Sequence, residues 1–165
     1  MKKFTMILVA TALVIGCGIG LAGCPSTRPT SPPQLPTATD FLRVGIESPI
    51  PNISGSIHSS YFTNKEISNI AVGASEHICR VIWVNATYAN FMALVIWLDS
   101  AGYQGYLHGE EFNPDNFDAT VRPYAHFFAY KMVGLHEIGV LLTYNENDTI
   151  GTSLGLAFVR PWSSE

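Results

Sequence analysis

Short runs of β-branched and aromatic residues, separated by turn residues, occupy the chain from Asp40 to Arg160. Such residues suit pleated strands, and the Gly, Pro, Asn, Asp and Ser between them favour turns. Periodicity predicts strands at 41–48, 67–74, 77–86, 90–99, 103–109, 124–132, 136–144 and 151–159, and no amphipathic helix. Short strands at near-regular spacing predict an all-β antiparallel sandwich.

The stretch that begins His136-Glu137-Ile138-Gly139 is a test case, because many zinc-protease helices begin in this way. A His-Glu-x-x-His helix needs a second histidine four residues after the first, so that both face the metal. That position holds Val140, and the ligand positions of the longer motif hold Thr143 and Glu146. Because large apolar residues recur here with a period of two, we predict a strand. Its buried side chains would be Ile138, Val140 and Leu142.

The first 24 residues, MKKFTMILVATALVIGCGIGLAGC, have a different character. Two lysines, an apolar run and small residues follow one another in the order typical of an export signal. The ending LAGC resembles the lipobox of bacterial lipoproteins, and VIGC, which ends at Cys17, is a weaker second match. The resemblance implies that residues 1–23 are a signal peptide and that Cys24 carries lipid, such as palmitate, at the mature N-terminus. The alternative is an uncleaved transmembrane anchor, since a spanning helix needs roughly 20 apolar residues.

Composition changes again after the signal. Residues 24–39 are rich in Pro, Ser and Thr and predict a semi-extended tether, followed by one domain over 40–165. Without Lys2 and Lys3, seven of the nine Lys and Arg oppose thirteen Asp and Glu, a net charge of −6 (7 − 13). This balance does not suit a phosphate backbone, so no nucleic-acid partner is expected. Cys79 is then the remaining thiol, and its apolar neighbours predict a small buried core residue.

A second resemblance is carried by the domain. EISNIAVGASEHICRVIWVN (66–85) resembles the first two strands of a fibronectin type III or related immunoglobulin-like module, with Trp83 late in the second strand. Residues 93–103 resemble the third strand and its turn, and residues 125–159 the last three strands. Members usually carry Pro-Gly and a Tyr after Gly-Leu, whereas here Gly134-Leu135 runs directly into His136. The resemblance implies an immunoglobulin-like sandwich over 64–165, with Trp83 packed between the sheets.

Other candidate chemistry is sparse. Residues 108–120, HGEEFNPDNFDAT, cluster oxygen ligands of the kind that calcium prefers, but they lack the alternation and the glycine of a calcium loop. We predict a solvated loop and keep a calcium-stiffened adhesion module as an alternative. No histidine has a partner at ligand spacing, and no Ser-His-Asp order or phosphate loop occurs. A degenerate or unrecognised metal-dependent hydrolase is the other alternative. The histidines are His58, His77, His108, His126 and His136.

Two predicted strands, 77–86 and 90–99, are apolar on both sides, although a sandwich sheet normally has one wet face. If Trp83 points inward, the outward set is Ile82, Val84, Leu94, Ile96 and Leu98. We expect residues 40–63 to cover this face, with a protein partner as the other possible cover. The sequence therefore predicts an extracytoplasmic lipoprotein, anchored in the cell membrane or outer membrane through Cys24. Its predicted role is a non-catalytic binding or scaffolding module without a cofactor.

Overall fold

The computed structural model describes residues 33–72, 76–117 and 120–161. In chain order its elements are α1 (Ala38–Arg43), β1 (Ser56–Phe62), a 3-10 helix (Ile67–Asn69), β2 (His77–Val84), α2 (Tyr88–Ser100), β3 (Gln104–Leu107), β4 (Glu110–Glu111), β5 (Tyr124–Val133), β6 (His136–Asp148) and β7 (Gly151–Val159). The predicted signal peptide, the lipidation site Cys24 and residues 25–32 of the predicted tether lie outside the described residues.

All seven strands belong to one sheet. Their order is β1-β2-β7-β6-β5-β3-β4, and every neighbouring pair is antiparallel. The predicted antiparallel β character of the domain is therefore confirmed. One side of the sheet carries the helix α2, at the place where the resemblance to fibronectin type III expects a third strand.

The strand predicted at 90–99 is wrong, because Tyr88–Ser100 forms helix α2. Thr87 caps the helix: its hydroxyl accepts a hydrogen bond from the N–H of Asn90, and Oδ1 of Asn90 accepts one from the N–H of Thr87 (3.3 and 3.0 Å). Gly102, at φ 84°, ends it, and the N–H of Tyr103 then donates to the Leu98 carbonyl. The helix is apolar almost all round, so the expectation that the chain shows no amphipathic helix pattern is not contradicted, although the buried residues recur at helical spacing. They are Tyr88, Phe91, Leu94, Val95, Trp97 and Leu98.

The strand predicted at 41–48 is wrong as well. Thr37 and Asp40 form a capping box that starts α1 at Ala38, inside the tether predicted over 24–39. The chain leaves α1 through Gly45, whose φ of 74° is unfavourable for residues with a side chain. Local capping thus overrides the strand propensity of the Val and Ile that follow.

The strand predicted at 67–74 is replaced by the 3-10 helix over Ile67–Asn69. In a strand, its carbonyls would accept hydrogen bonds from a neighbouring strand. Here the Arg160 guanidinium donates to three of them, the carbonyls of Ile67, Ser68 and Ile70, at 3.1, 3.1 and 2.9 Å. An arginine from beyond β7 therefore satisfies the backbone of this connection.

The side of the sheet that faces α2, here called the inner face, forms the hydrophobic core. Strand pairing places Trp83, Leu154, Tyr144 and Ala125 in one row across it, all of them buried. The ring of Tyr88 on α2 lies 5.6 Å from the ring of Tyr144, centroid to centroid. The prediction that Trp83 is a core residue is confirmed. So is the prediction of a strand from 136 to 144 with three buried residues: Ile138, Val140 and Leu142.

Residues 41–46 also pack on the inner face. The ring of Phe41, which is buried, lies 5.4 Å from that of Trp97 on α2 and 6.4 Å from that of Phe158 on β7. Val44 and Ile46 are buried beside it. These residues therefore pack on the inner face, and not on the face of Ile82 and Val84 that they were expected to cover.

Two hydrogen-bonding side chains hold this segment in place. The Tyr103 hydroxyl donates to the Val44 carbonyl at 2.6 Å, and Lys131 Nζ donates to the carbonyls of Gly45 and Ala101, each at 2.6 Å. The contacts of 41–46 therefore join α1, the end of α2 and β5 on one side of the sheet. The opposite side keeps the side chains of Ile82 and Val84 half-buried.

Candidate functional site

The side of the sheet that faces away from α2, here called the outer face, is the candidate functional site. Because side chains alternate along a strand, residues paired across the sheet fall into rows on the same side. One outer row consists of Tyr61, Arg80, Ala157, Leu141, Phe128 and Tyr106. The next consists of Ile82, Gly155, Thr143 and His126. The first row runs from β1 to β3, and the second runs from β2 to β5.

A line of large side chains follows β5 along the outer face. We call it the β5 ridge, formed by Tyr124, His126, Phe128, Tyr130 and Met132. Tyr124 is 45% exposed, Tyr130 37% and Met132 59%, and the remaining two are half-buried. Large apolar side chains that are this exposed, next to one another on a flat sheet, are a common feature of interaction surfaces.

One strand further from the ridge than β6, β7 carries small residues on the outer face. We call this strip the trough, formed by Gly155 and Ala157. Gly139 on β6 does not extend it, because a Cβ added there would lie 3.4 Å from Cγ2 of Val159 and 3.6 Å from Cδ of Pro161. A Cβ added at Gly155 would lie 2.9 Å from Oγ1 of Thr143, so even alanine would crowd this position. Glycine within a strand weakens it and often marks a place where another group approaches closely. The outer face therefore combines a raised line and a shallow one.

Few charged side chains interrupt this surface. Strand pairing places Arg80 on β2, Glu137 on β6 and, at the far edge, Glu111 on β4 on the outer face. The salt bridge found among the described residues joins Lys65 and Glu76, in the connection between β1 and β2. A partner could therefore cover the face while removing little charge from water.

One end of the face carries two histidines in contact. The ring centroids of His108 and His126 are 5.5 Å apart with nearly perpendicular planes, and the Tyr124 ring lies 6.0 Å from that of His126. Burial lowers the pKa of His126, which favours its neutral form. Within 33–72, 76–117 and 120–161, no three side chains of His, Cys, Asp or Glu are grouped so as to hold a metal ion.

The residues singled out in the sequence are not brought together in one place. Cys24 and Cys17 lie outside the described residues. Cys79 lies on the inner face, fully buried, and burial raises the pKa of its thiol to about 12, so it is protonated at neutral pH. The prediction of a buried core cysteine is confirmed. His136 begins β6, and Val140, where a zinc helix would need its second histidine, points into the core.

The acidic segment 108–120 is only partly loop. Glu110 and Glu111 form the short strand β4, and both are exposed. The segment then turns, with Oδ1 of Asn113 accepting a hydrogen bond from the N–H of Asp115 at 3.0 Å. Asp118 lies outside the described residues.

The β5 ridge is the feature that sequence reasoning missed. Its signal was present, because Tyr124, His126, Phe128, Tyr130 and Met132 alternate with small or inward residues. An exposed and a buried apolar line look alike in sequence, and β5 has apolar residues on both sides. The ridge became recognisable only when strand pairing showed which side faces α2.

Neither helix in the described part of the chain has the length and apolar run that crossing a membrane requires. Comparison of the chain with protein-family models, with curated proteins and with solved structures finds no match.

Proposed function

We propose that the protein is a lipid-anchored, extracytoplasmic binding or scaffolding module without a catalytic site, and that the outer face is its binding surface. The observation that carries the proposal is the exposed β5 ridge beside the trough, on a face with few charges. The export signal and the LAGC sequence ending at Cys24 support the anchored location. Among the described residues, no contact or cluster specifically supports the two alternatives, a metal-dependent hydrolase and a calcium-stiffened adhesion module.

The finer fold assignment is also a proposal. The resemblance to an immunoglobulin-like, fibronectin type III-like sandwich is supported by the β2 strand with buried Trp83 and by the antiparallel succession of β5, β6 and β7. Helix α2, where a third strand was expected, weighs against that family. The single seven-stranded sheet weighs against it as well, because a sandwich of this family has two hydrogen-bonded sheets.

The anchor is tested by Cys24→Ser in the full chain. The lipobox resemblance implies that Cys24 carries the lipid. The variant is therefore expected to lose palmitate labelling and either to leave the membrane fraction or to stay unprocessed. Cys17→Ser is the matched control and should be labelled and fractionate like the parent. A Cys24→Ser protein that is still processed, labelled and membrane-bound would contradict the proposed anchor.

The binding surface is tested by placing a photoreactive benzoylphenylalanine at Tyr124 in the full chain, in the membranes of its own host. The control position is Ile96 on α2, which has nearly the same exposure, 47% against 45%. The proposal expects a discrete crosslinked product from Tyr124 and none from Ile96. Equal labelling from the two positions would count against the outer face as the surface used.

A further inference from the structure

We propose that the outer face packs against the outer face of a second copy of this chain, so that the module acts as a face-to-face homodimer. This inference rests on the proposed function, because it names the partner of the same surface. Symmetric homodimers are the commonest protein assemblies, and their interface must be complementary to itself. The outer face meets that requirement in shape, in charge and in area.

The shape argument comes from the strand order. The ridge lies on β5 and the trough on β7, with β6 between them. A two-fold axis that runs along β6 exchanges the positions of β5 and β7. It therefore lays the ridge of each copy over the trough of the other, with Phe128 above Ala157 and His126 above Gly155 of the second copy. Large residues against small ones allow two sheets to approach to the usual distance of about 10 Å.

The charge argument concerns what dimerisation would bury. The whole chain carries thirteen Asp and Glu against nine Lys and Arg. Two copies that met through an average part of their surfaces would therefore repel each other. The outer face instead carries mainly aromatic, apolar and small side chains. Apart from Glu111 on the edge strand β4, the charged residues that strand pairing places on it are Arg80 on β2 and Glu137 at the start of β6. Leu141 and Thr143, which would lie at the middle of the axis, are uncharged, whereas the two copies of Glu137 would meet near one end of it. Self-association therefore desolvates little charge at its centre.

The area argument compares the face with a known requirement. Neighbouring strands are about 4.8 Å apart, and side chains on one side of a strand follow one another at about 6.7 Å, so each outer position covers about 32 Å². Roughly twenty outer positions on the seven strands then span about 650 Å² before side-chain relief is counted. A specific interface of standard size buries about 800 Å² per partner. The flat area of the outer face is thus about four fifths of that requirement, and the relief of the side chains on the β5 ridge adds to it.

The first experiment uses benzoylphenylalanine at Tyr130, on the ridge, in full chains carrying two different tags in the same cells. The proposal expects a product of twice the chain mass that contains both tags, and none from the probe at Ile96. If Tyr130 labels only a different protein, the dimer is wrong, while the outer face remains a binding surface. If Tyr130 gives no product, or Ile96 gives the same doubled product, the dimer is likewise wrong. The location of Cys24→Ser reports on the anchor independently of each of these results.

The second experiment measures self-association of the detergent-solubilised full chain by sedimentation equilibrium. Tyr130→Glu would place a carboxylate against the apolar face of the second copy, and we expect the dissociation constant to rise at least tenfold. Ile96→Glu introduces the same change on α2 and should leave the constant within about twofold of the parent. Thermal unfolding of both variants controls for folding. If a folded Tyr130→Glu protein associates like the parent, the proposal is overturned.

Discussion

The two faces of this sheet differ less in composition than in what lies against them. On β2, Trp83 is 2% exposed, whereas its neighbours Ile82 and Val84 on the other side of the same strand remain half-buried. Helix α2 and residues 41–46 pack on the inner face, where the Phe41 ring contacts the rings of both Trp97 and Phe158. Both sides of β2 thus carry apolar residues, and the covering elements decide which of them belong to the core and which to a surface.

The comparison is tested most strongly by truncating one residue on each side of β2. Trp83→Ala removes a large buried side chain and should lower the free energy of unfolding by about 3–5 kcal/mol. Because a whole domain has only about 5–15 kcal/mol of stability, the variant should be marginal or unfolded. Ile82→Ala, its matched control on the outer face, should cost about 1 kcal/mol. Urea denaturation followed by circular dichroism measures both.

If the two variants lost similar stability, the inner and outer faces would not differ as described. A large loss for Ile82→Ala alone would mean that the faces are reversed. A concentration-dependent loss for Ile82→Ala would have another meaning, since it would report that a second copy covers the outer face.

How far the sequence predicted this fold is best seen by comparing β6 with α2. In β6, Ile138, Val140 and Leu142 alternate with smaller or less buried residues, so a period of two was clear and its burial was predicted correctly. In α2, the run FMALVIWL is apolar almost throughout, so neither a period of two nor one of 3.6 stands out. The deciding signals lay at the ends of the helix, in the capping pair Thr87 and Asn90 and in Gly102.

The candidate site was harder to predict for a different physical reason. Strand sequences show which residues alternate, but not which strands become neighbours. The trough is recognised only because β7 pairs with β6, which places Gly155 beside Thr143 and Ala157 beside Leu141 on the outer face. The ridge faces outward because α2 and Phe41 occupy the other side. Both facts depend on the pairing of strands that are distant in the chain, and the alternation of residues in one sequence does not reveal that pairing.

A smaller effect is expected where residues 41–46 join the inner face. Tyr103 is 1% exposed, and its hydroxyl donates to the Val44 carbonyl at 2.6 Å. Tyr103→Phe keeps the ring but leaves that carbonyl without this donor, so we expect a loss of about 1–2 kcal/mol in the free energy of unfolding. Tyr106→Phe, on the outer row, is the control and should change stability by less than about 0.5 kcal/mol. Equal losses would mean that the covering segment depends little on this bond.

The same tyrosine makes a pH prediction. Burial raises the pKa of Tyr103 above its ordinary value of about 10. Between the unfolded and the folded pKa of Tyr103, the folded chain keeps a proton that the unfolded chain loses. The contribution of Tyr103 to the free energy of unfolding is therefore fully present below about pH 10 and is lost as the pH rises. The fall should be shallower in Tyr103→Phe, although burial also raises the pKa of Tyr144. Urea titrations at successive alkaline pH values would show it, and identical slopes would contradict it.

The smallest effect belongs to Glu137, at the start of β6 on the outer face. Glu137→Gln removes a charge from a half-buried surface position and should leave the free energy of unfolding within about 0.5 kcal/mol of the parent. In the proposed dimer the axis runs along β6, so the two copies of Glu137 approach each other. Loss of their repulsion should tighten the dimer by about twofold at low salt, and this gain should disappear at high salt. Glu47→Gln, at an exposed position directly after residues 41–46, is the control and should change neither quantity. A dimer weakened by Glu137→Gln would exclude an axis along β6, because the carboxylate would then be making an attractive contact.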